Sequence, residues 1–263
     1  MKLKDFNKYI NLKSKKRRIL LAIFSIIIIL TIIFIVWANS SYKGSDVKSE
    51  DLQSIFPVQI EENDQYIKII SNDFLNAATR RSFIFYPGGR VDAEAYLTNL
   101  SRIAGGNTMR IYIVKMPLNL AVFNINGAKS IIDENTTDEN DIWLIGGHSL
   151  GGSMACEFTS QNDIPNLKYL ILMGSYCSSD ISKKDIKVLS ITGELDALAG
   201  REKIKQYDNK LPIDKTVFKD IKGFNHSEFG TYGLQEGDNK PTLSVEDSSK
   251  ELNNTIQEYF DQN

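Results

Sequence analysis

The chain has 263 residues and nearly balanced charge, with 31 Lys and Arg against 33 Asp and Glu for a formal −2. That length suffices for one α/β domain plus an accessory segment. The charge balance gives no basis for nucleic acid as a partner.

The N-terminus departs from this even composition. Lys13-Ser14-Lys15-Lys16-Arg17-Arg18 precedes an uncharged, isoleucine-rich run from Ile19 to Ala38, relieved only by Ser25 and Thr31. About 20 such residues match the hydrocarbon core of a bilayer, so residues 19–38 are expected to form a transmembrane helix. Basic residues crowd its N-terminal side, with only Lys43 and Lys48 just beyond it. The positive-inside rule then makes residues 1–18 a cytoplasmic basic segment and puts the rest of the chain outside the cell. The run is longer than a usual signal-peptide core, which favours an uncleaved signal anchor in the cell membrane over a secreted product cleaved after Ala38. No cysteine stands directly after the span, so a lipoprotein anchor is not indicated.

Residues 39–64 are polar and mixed in charge and read as a linker, with a short strand at Phe56-Pro57-Val58. From residue 65, apolar runs of strand length alternate with helical stretches. Strands are expected at Gln65–Ile70, Ser82–Tyr86, Arg110–Val114, Ile142–Ile145, Tyr169–Met173, Ile186–Ile191 and Thr216–Ile221. Helices are expected over Ala93–Ile103, weakly over Leu118–Ile132 with a break near Gly127, after residue 150, near Glu202–Tyr207, and over Ser244–Phe260. This alternation predicts an α/β domain over residues 65–263, with a mostly parallel sheet and helices on both faces. Ligands of such sheets bind beyond the carboxyl ends of the strands. The two cysteines, Cys156 and Cys177, are expected as buried, unpaired thiols.

The run Ile142–Ile145 ends in Gly146-Gly147-His148-Ser149-Leu150-Gly151-Gly152, a strand, a sharp turn and a helix start. Gly147-His148-Ser149-Leu150-Gly151 is the G-x-S-x-G pattern that forces a serine into a strained conformation and lifts its hydroxyl above the sheet. A serine needs a base to become a useful nucleophile. The chain has two histidines, and His148, adjacent to Ser149, is expected to point away from it. That leaves His226, in Gly223-Phe224-Asn225-His226-Ser227-Glu228, after the last strand. Asp196, after the strand ending at Gly193, is the favoured carboxylate to orient the imidazole, with Glu194 and Asp220 as rivals. For the oxyanion, the backbone N–H of Leu150 is one expected donor. The second is expected in Pro87-Gly88-Gly89-Arg90, from Gly89 or Arg90.

With these residues the chain resembles the α/β-hydrolase superfamily, through Gly147-His148-Ser149-Leu150-Gly151-Gly152 and the order Ser149, Asp196, His226. More narrowly it resembles the lidless bacterial α/β-hydrolase fold 5 family, related to dienelactone hydrolases. Phe85-Tyr86-Pro87-Gly88-Gly89, Lys115–Ala121, Asn225–Gly233 and Gln235-Glu236-Gly237-Asp238 carry that likeness over about residues 65 to 260. The resemblance implies a serine hydrolase with no metal and no organic cofactor. The dozen or so residues between Met173 and Ile186 leave no room for a sizeable cap domain. The expected reaction is hydrolysis of a small-molecule carboxylic ester, with thioester or amide hydrolysis sharing the same machinery. The contrasting expectation is a non-catalytic binding module on a hydrolase fold.

Overall fold

A computed structural model of the chain describes residues 3–45, 47–136 and 141–262, with backbone alone for 3–14 and 39. Residues 1 and 2 of the expected basic segment, and residue 46 of the expected linker, lie outside the described residues. The chain divides into two compact units between Ser40 and Ser41.

The first unit is one helix, α1 (Leu3–Asn39). Within it Lys15–Ala38 is long and apolar enough to cross a membrane. The side chains from Ile19 to Trp37 are exposed all round the helix. A helix with no polar face has no stable place on a water-facing surface.

The second unit is an eight-stranded sheet in the order β1-β2-β4-β3-β5-β6-β7-β8. Its strands are β1 (Val58–Glu62), β2 (Tyr66–Ser71), β3 (Arg81–Tyr86), β4 (Met109–Val114), β5 (Ile142–His148), β6 (Leu167–Met173), β7 (Lys187–Gly193) and β8 (Thr216–Ile221). β1 and β2 run antiparallel at one edge, and β3 to β8 are all parallel. The helices are α2 (Ser49–Ile55), α3 (Leu97–Gly106), α4 (Gly127–Asn135), α5 (Leu150–Gln161), α6 (Arg201–Ile204) and α7 (Val245–Gln262).

The central strands are mostly apolar because both faces are covered. Along β3, Phe83 and Phe85 join a core with Leu100 and Ile103 of α3 and Leu252 and Ile256 of α7. Ile84 and Tyr86 point the other way, into a second core with Ile131 of α4 and Phe158 of α5. That is the period of two of a strand, read out as two separate cores.

Three expectations need correction. The polar stretch 39–64 is not simply a linker, because Ser49–Ile55 is helical and Val58–Glu62 pairs with β2. Tyr42 also donates its N–H to the Arg90 carbonyl (2.7 Å) and accepts from Asp92 N–H (3.0 Å). Its polarity is that of an edge strand, where Val58 is buried and Glu61 and Glu62 face water. The weak helix 118–132 is instead two 3₁₀ turns followed by α4, because Leu118 and Asn119 have φ of 54° and 53°. Gly127 opens α4 rather than breaking a helix. Finally, Cys156 and Cys177 are joined as a disulfide, their Cα atoms 5.5 Å apart. The parallel pairing of β5 and β6 brings α5 and the segment after β6 to that separation, which lies in the range a bridge requires.

Candidate active site

β5 hands the chain to α5 through a single residue, Ser149, whose φ of 51° and ψ of −121° lie where non-glycine residues are rarely found. Surrounding contacts hold it there. Its N–H donates to the Met173 carbonyl at 3.0 Å, and its carbonyl accepts the Ser175 hydroxyl at 2.6 Å. The flanking glycines are dictated by space: a Cβ on Gly147 would sit 2.3 Å from the Tyr86 carbonyl oxygen, and one on Gly151 only 2.0 Å from it. The turn at Ser149 is therefore pressed against the end of β3, with no room for a larger residue at Gly147 or Gly151.

Asp196 and His226 come from the loops after β7 and β8. Asp196 Oδ2 accepts the hydrogen bond of His226 Nδ1 at 2.8 Å, and both side chains are buried. The other carboxylate oxygen accepts the N–H groups of Leu198 (2.8 Å) and Ala199 (2.7 Å). With Nδ1–H committed to Asp196, His226 keeps Nε2 as its basic nitrogen. The rival carboxylates are engaged elsewhere. Glu194 accepts Gly223 N–H at 2.9 Å, and Asp220 accepts the Thr192 hydroxyl at 2.6 Å.

Of the two residues expected to offer a second oxyanion donor, Arg90 has its N–H engaged. Its N–H is spent on the Asn119 carbonyl at 2.7 Å, a bond set up by the positive-φ turn at Leu118 and Asn119. Gly88 N–H is also taken, by the Tyr96 hydroxyl at 2.9 Å. Gly89 remains, beside Leu150: a Cβ placed on it would lie 3.1 Å from Leu150 Cδ2. Leu150 is the first residue of α5, where helix N–H groups lack partners in a preceding turn.

The sequence model of the alpha/beta hydrolase family matches residues 82–250, which include every residue of this arrangement. The chain belongs to the alpha/beta hydrolase family. Solved structures agree on the fold. An esterase from Pseudomonas putida ECU1011 superposes with a TM-score of 0.55 at 13% identity, over 80% of this chain and 88% of that one. Carboxyl esterase 2 from the fungus Tuber melanosporum gives 0.56 at 9% identity, over 82% and 91%. A Pyrobaculum calidifontis esterase gives 0.51 at 15% identity, over 77% and 86%. No curated protein matches significantly.

In this member of the family Ser149 and His226 line one open cleft of about 370 Å³, walled by Leu150, Met154, Tyr176 and Leu198. None of its described lining residues carries a formal charge, which suits a neutral ligand. Residues 174–186, joining β6 to β7, contain neither helix nor strand, so no cap is built there. Among the described residues, no group of three or more His, Cys, Asp or Glu is placed to hold a metal ion.

His148 has a role that its position next to Ser149 does not reveal. Its ring is fully buried, 4.4 Å from the His226 ring between centroids. Its Nδ1 lies 2.9 Å from the Tyr96 hydroxyl, which already accepts Gly88 N–H and so directs its own hydrogen to His148. Burial, and secondarily the neighbouring His226, hold the His148 pKa well below the usual histidine range. Burial likewise raises Tyr96, keeping it a phenol. The pair forms a neutral link from the Gly88 loop to the ring of His226.

Proposed function

We propose that this chain is a membrane-anchored serine hydrolase that cleaves carboxylic esters through an acyl-enzyme on Ser149. The observation that carries this reading is the His226–Asp196 bond of 2.8 Å, in the cleft that also holds the strained Ser149. Ser149 Oγ attacks the ester carbonyl while His226 Nε2 takes its proton, and Asp196 stabilises the imidazolium. The N–H groups of Leu150 and Gly89 receive the developing oxyanion. His226 returns the proton to the departing alcohol, then activates the water that frees the acid. The esterase names among its structural relatives favour esters over thioesters and amides.

The span at residues 19–38 is the anchor, with the basic N-terminus in the cytoplasm and the catalytic unit outside. The Cys156–Cys177 bridge supports this placement, since such bonds persist in oxidising compartments.

The test is labelling of the full chain in detergent with a fluorophosphonate probe, beside Ser149→Ala and His226→Ala. Labelling of the wild type that disappears in both variants is expected. A folded wild-type protein that stays unlabelled would refute an activated serine and favour a binding module.

A further inference from the structure

Asp196 and His226 sit on irregular loops, outside the ladders that fix the strands. The two loops are joined upstream by Leu195 N–H to the Phe224 carbonyl at 2.9 Å. Downstream, one tight turn reaches both. It is closed by Asp238 N–H to the Gln235 carbonyl at 3.1 Å.

Asp238 Oδ1 accepts the N–H of Ala197 at 3.0 Å, and Oδ2 accepts the N–H of Ser227 at 3.2 Å. The next residue reaches the same two loops, donating to one and accepting from the other. Asn239 Nδ2 donates to the Leu195 carbonyl at 2.9 Å, while the Asn239 carbonyl accepts Asn225 Nδ2 at 2.7 Å. Leu195 and Ala197 are the chain neighbours of Asp196, and Asn225 and Ser227 are those of His226. Two adjacent residues thus grip both neighbours of the acid and both neighbours of the base.

We propose that Asp238 and Asn239 are positioning residues for the acid–base pair, setting the carboxylate and imidazole in register. The proposal rests on the hydrolase reading above. A carboxylate is the side chain suited to this task. Its two oxygens accept from two backbone N–H groups at once, and an ionised acceptor makes the stronger bond. Register matters because a misplacement of about 1 Å at a reacting group costs on the order of 100-fold in rate.

Phosphonylation of Ser149, in which the Oγ–P bond forms as fluoride leaves, reports on the base without a known substrate. The full chain in detergent would be treated with graded fluorophosphonate at a temperature where circular dichroism shows every variant folded. For Asp238→Ala the maximal labelling rate should fall about 10- to 100-fold, with the half-saturating concentration within about twofold of wild type. Asp238→Asn should fall between Asp238→Ala and wild type, because its amide oxygen can still accept one N–H while its NH₂ opposes the other. A maximal rate within about twofold of wild type in folded Asp238→Ala, or a change confined to half-saturation, would overturn the proposal. Should Asp238→Ala not fold, Asp238→Asn and Asn239→Ala decide it: wild-type maximal rates in both would overturn it. Ser149→Ala separates the two failures. Loss of labelling there with undiminished Asp238 variants sinks the positioning role alone. Labelling that persists in Ser149→Ala removes the hydrolase reading, and the positioning role with it.

Discussion

On the Ser149 side of the cleft, backbone packing holds the residue in place. Gly147 and Gly151 press against the end of β3, and Ser149 is bonded at both its N–H and its carbonyl. On the side of Asp196 and His226, hydrogen bonds from residues far along the chain hold the two loops, with Asp238 and Asn239 reaching back to both. The contrast separates two ways to preorganise a site. Steric fixing is local and expensive to alter. Hydrogen-bonded fixing is long-range, and its members can be removed one at a time.

Asp196→Asn probes the second side most strongly. On the hydrolase reading it should lower kcat by about 10⁴-fold, the scale for a triad acid replaced by its amide. The urea midpoint should move little, because the amide oxygen of the substituted side chain could still accept the N–H groups of Leu198 and Ala199. Ester hydrolysis and urea unfolding of the same preparation would check both halves. A collapse in stability that matches the activity loss would erase the distinction between the two sides.

Gly151→Ala probes the first side. The added carbon would lie 2.0 Å from the Tyr86 oxygen and 2.3 Å from that of Pro87, both backbone atoms unable to swing away. A loss of about 3 kcal/mol in unfolding free energy is expected, the upper end for overpacking. A loss under about 1 kcal/mol, within the range of a typical mutation, would show the turn to be looser than its contacts imply.

The smallest expected effect is one of pH, on the ring between the two sides. The folded-state pKa of His148 is depressed, so its stabilising contribution is complete above the unfolded value of about 6.5. Below that value the unfolded chain takes up a proton that the folded one refuses. Stability should therefore fall on acidification, by up to about 1.4 kcal/mol per pH unit from this group. Urea unfolding between pH 8 and 5 should show a shallower acid-side fall in His148→Gln than in wild type. Identical slopes would rule out the buried neutral histidine as the cause.

What the sequence disclosed follows the same division. The turn at Ser149 was legible because strand, glycines and helix are neighbours in the chain. The seven strands from β2 onward were legible as largely apolar or alternating runs, whereas the short strand expected at 56–58 met β1 only at Val58, because an edge strand with Glu61 and Glu62 looks like a polar connector. The Asp196–His226 pairing was expected from strand-end positions and from the scarcity of histidines, and the geometry now brings the two side chains together. Nothing periodic marked Tyr96 as the partner of His148, 52 residues away in sequence. Gln235-Glu236-Gly237-Asp238 carried a family likeness, yet its bonds to the acid and base loops depend on where three loops meet. The bridge between Cys156 and Cys177 was hidden for the same reason, since spacing alone does not give the distance between two elements.

On the acyl-enzyme reading proposed above, the bare connection between β6 and β7 would bear on the fate of a bound acyl group. With no cap over residues 174–186, an acyl chain on Ser149 would meet bulk water as soon as it formed. The competition between water and any other alcohol for that acyl group would then be set by their abundance in solution, rather than by a dry chamber that admits one and refuses the other. Such a site favours irreversible cleavage over exchange. It leaves the choice of substrate to the fit of the ester against Met154, Tyr176 and Leu198 during the first step.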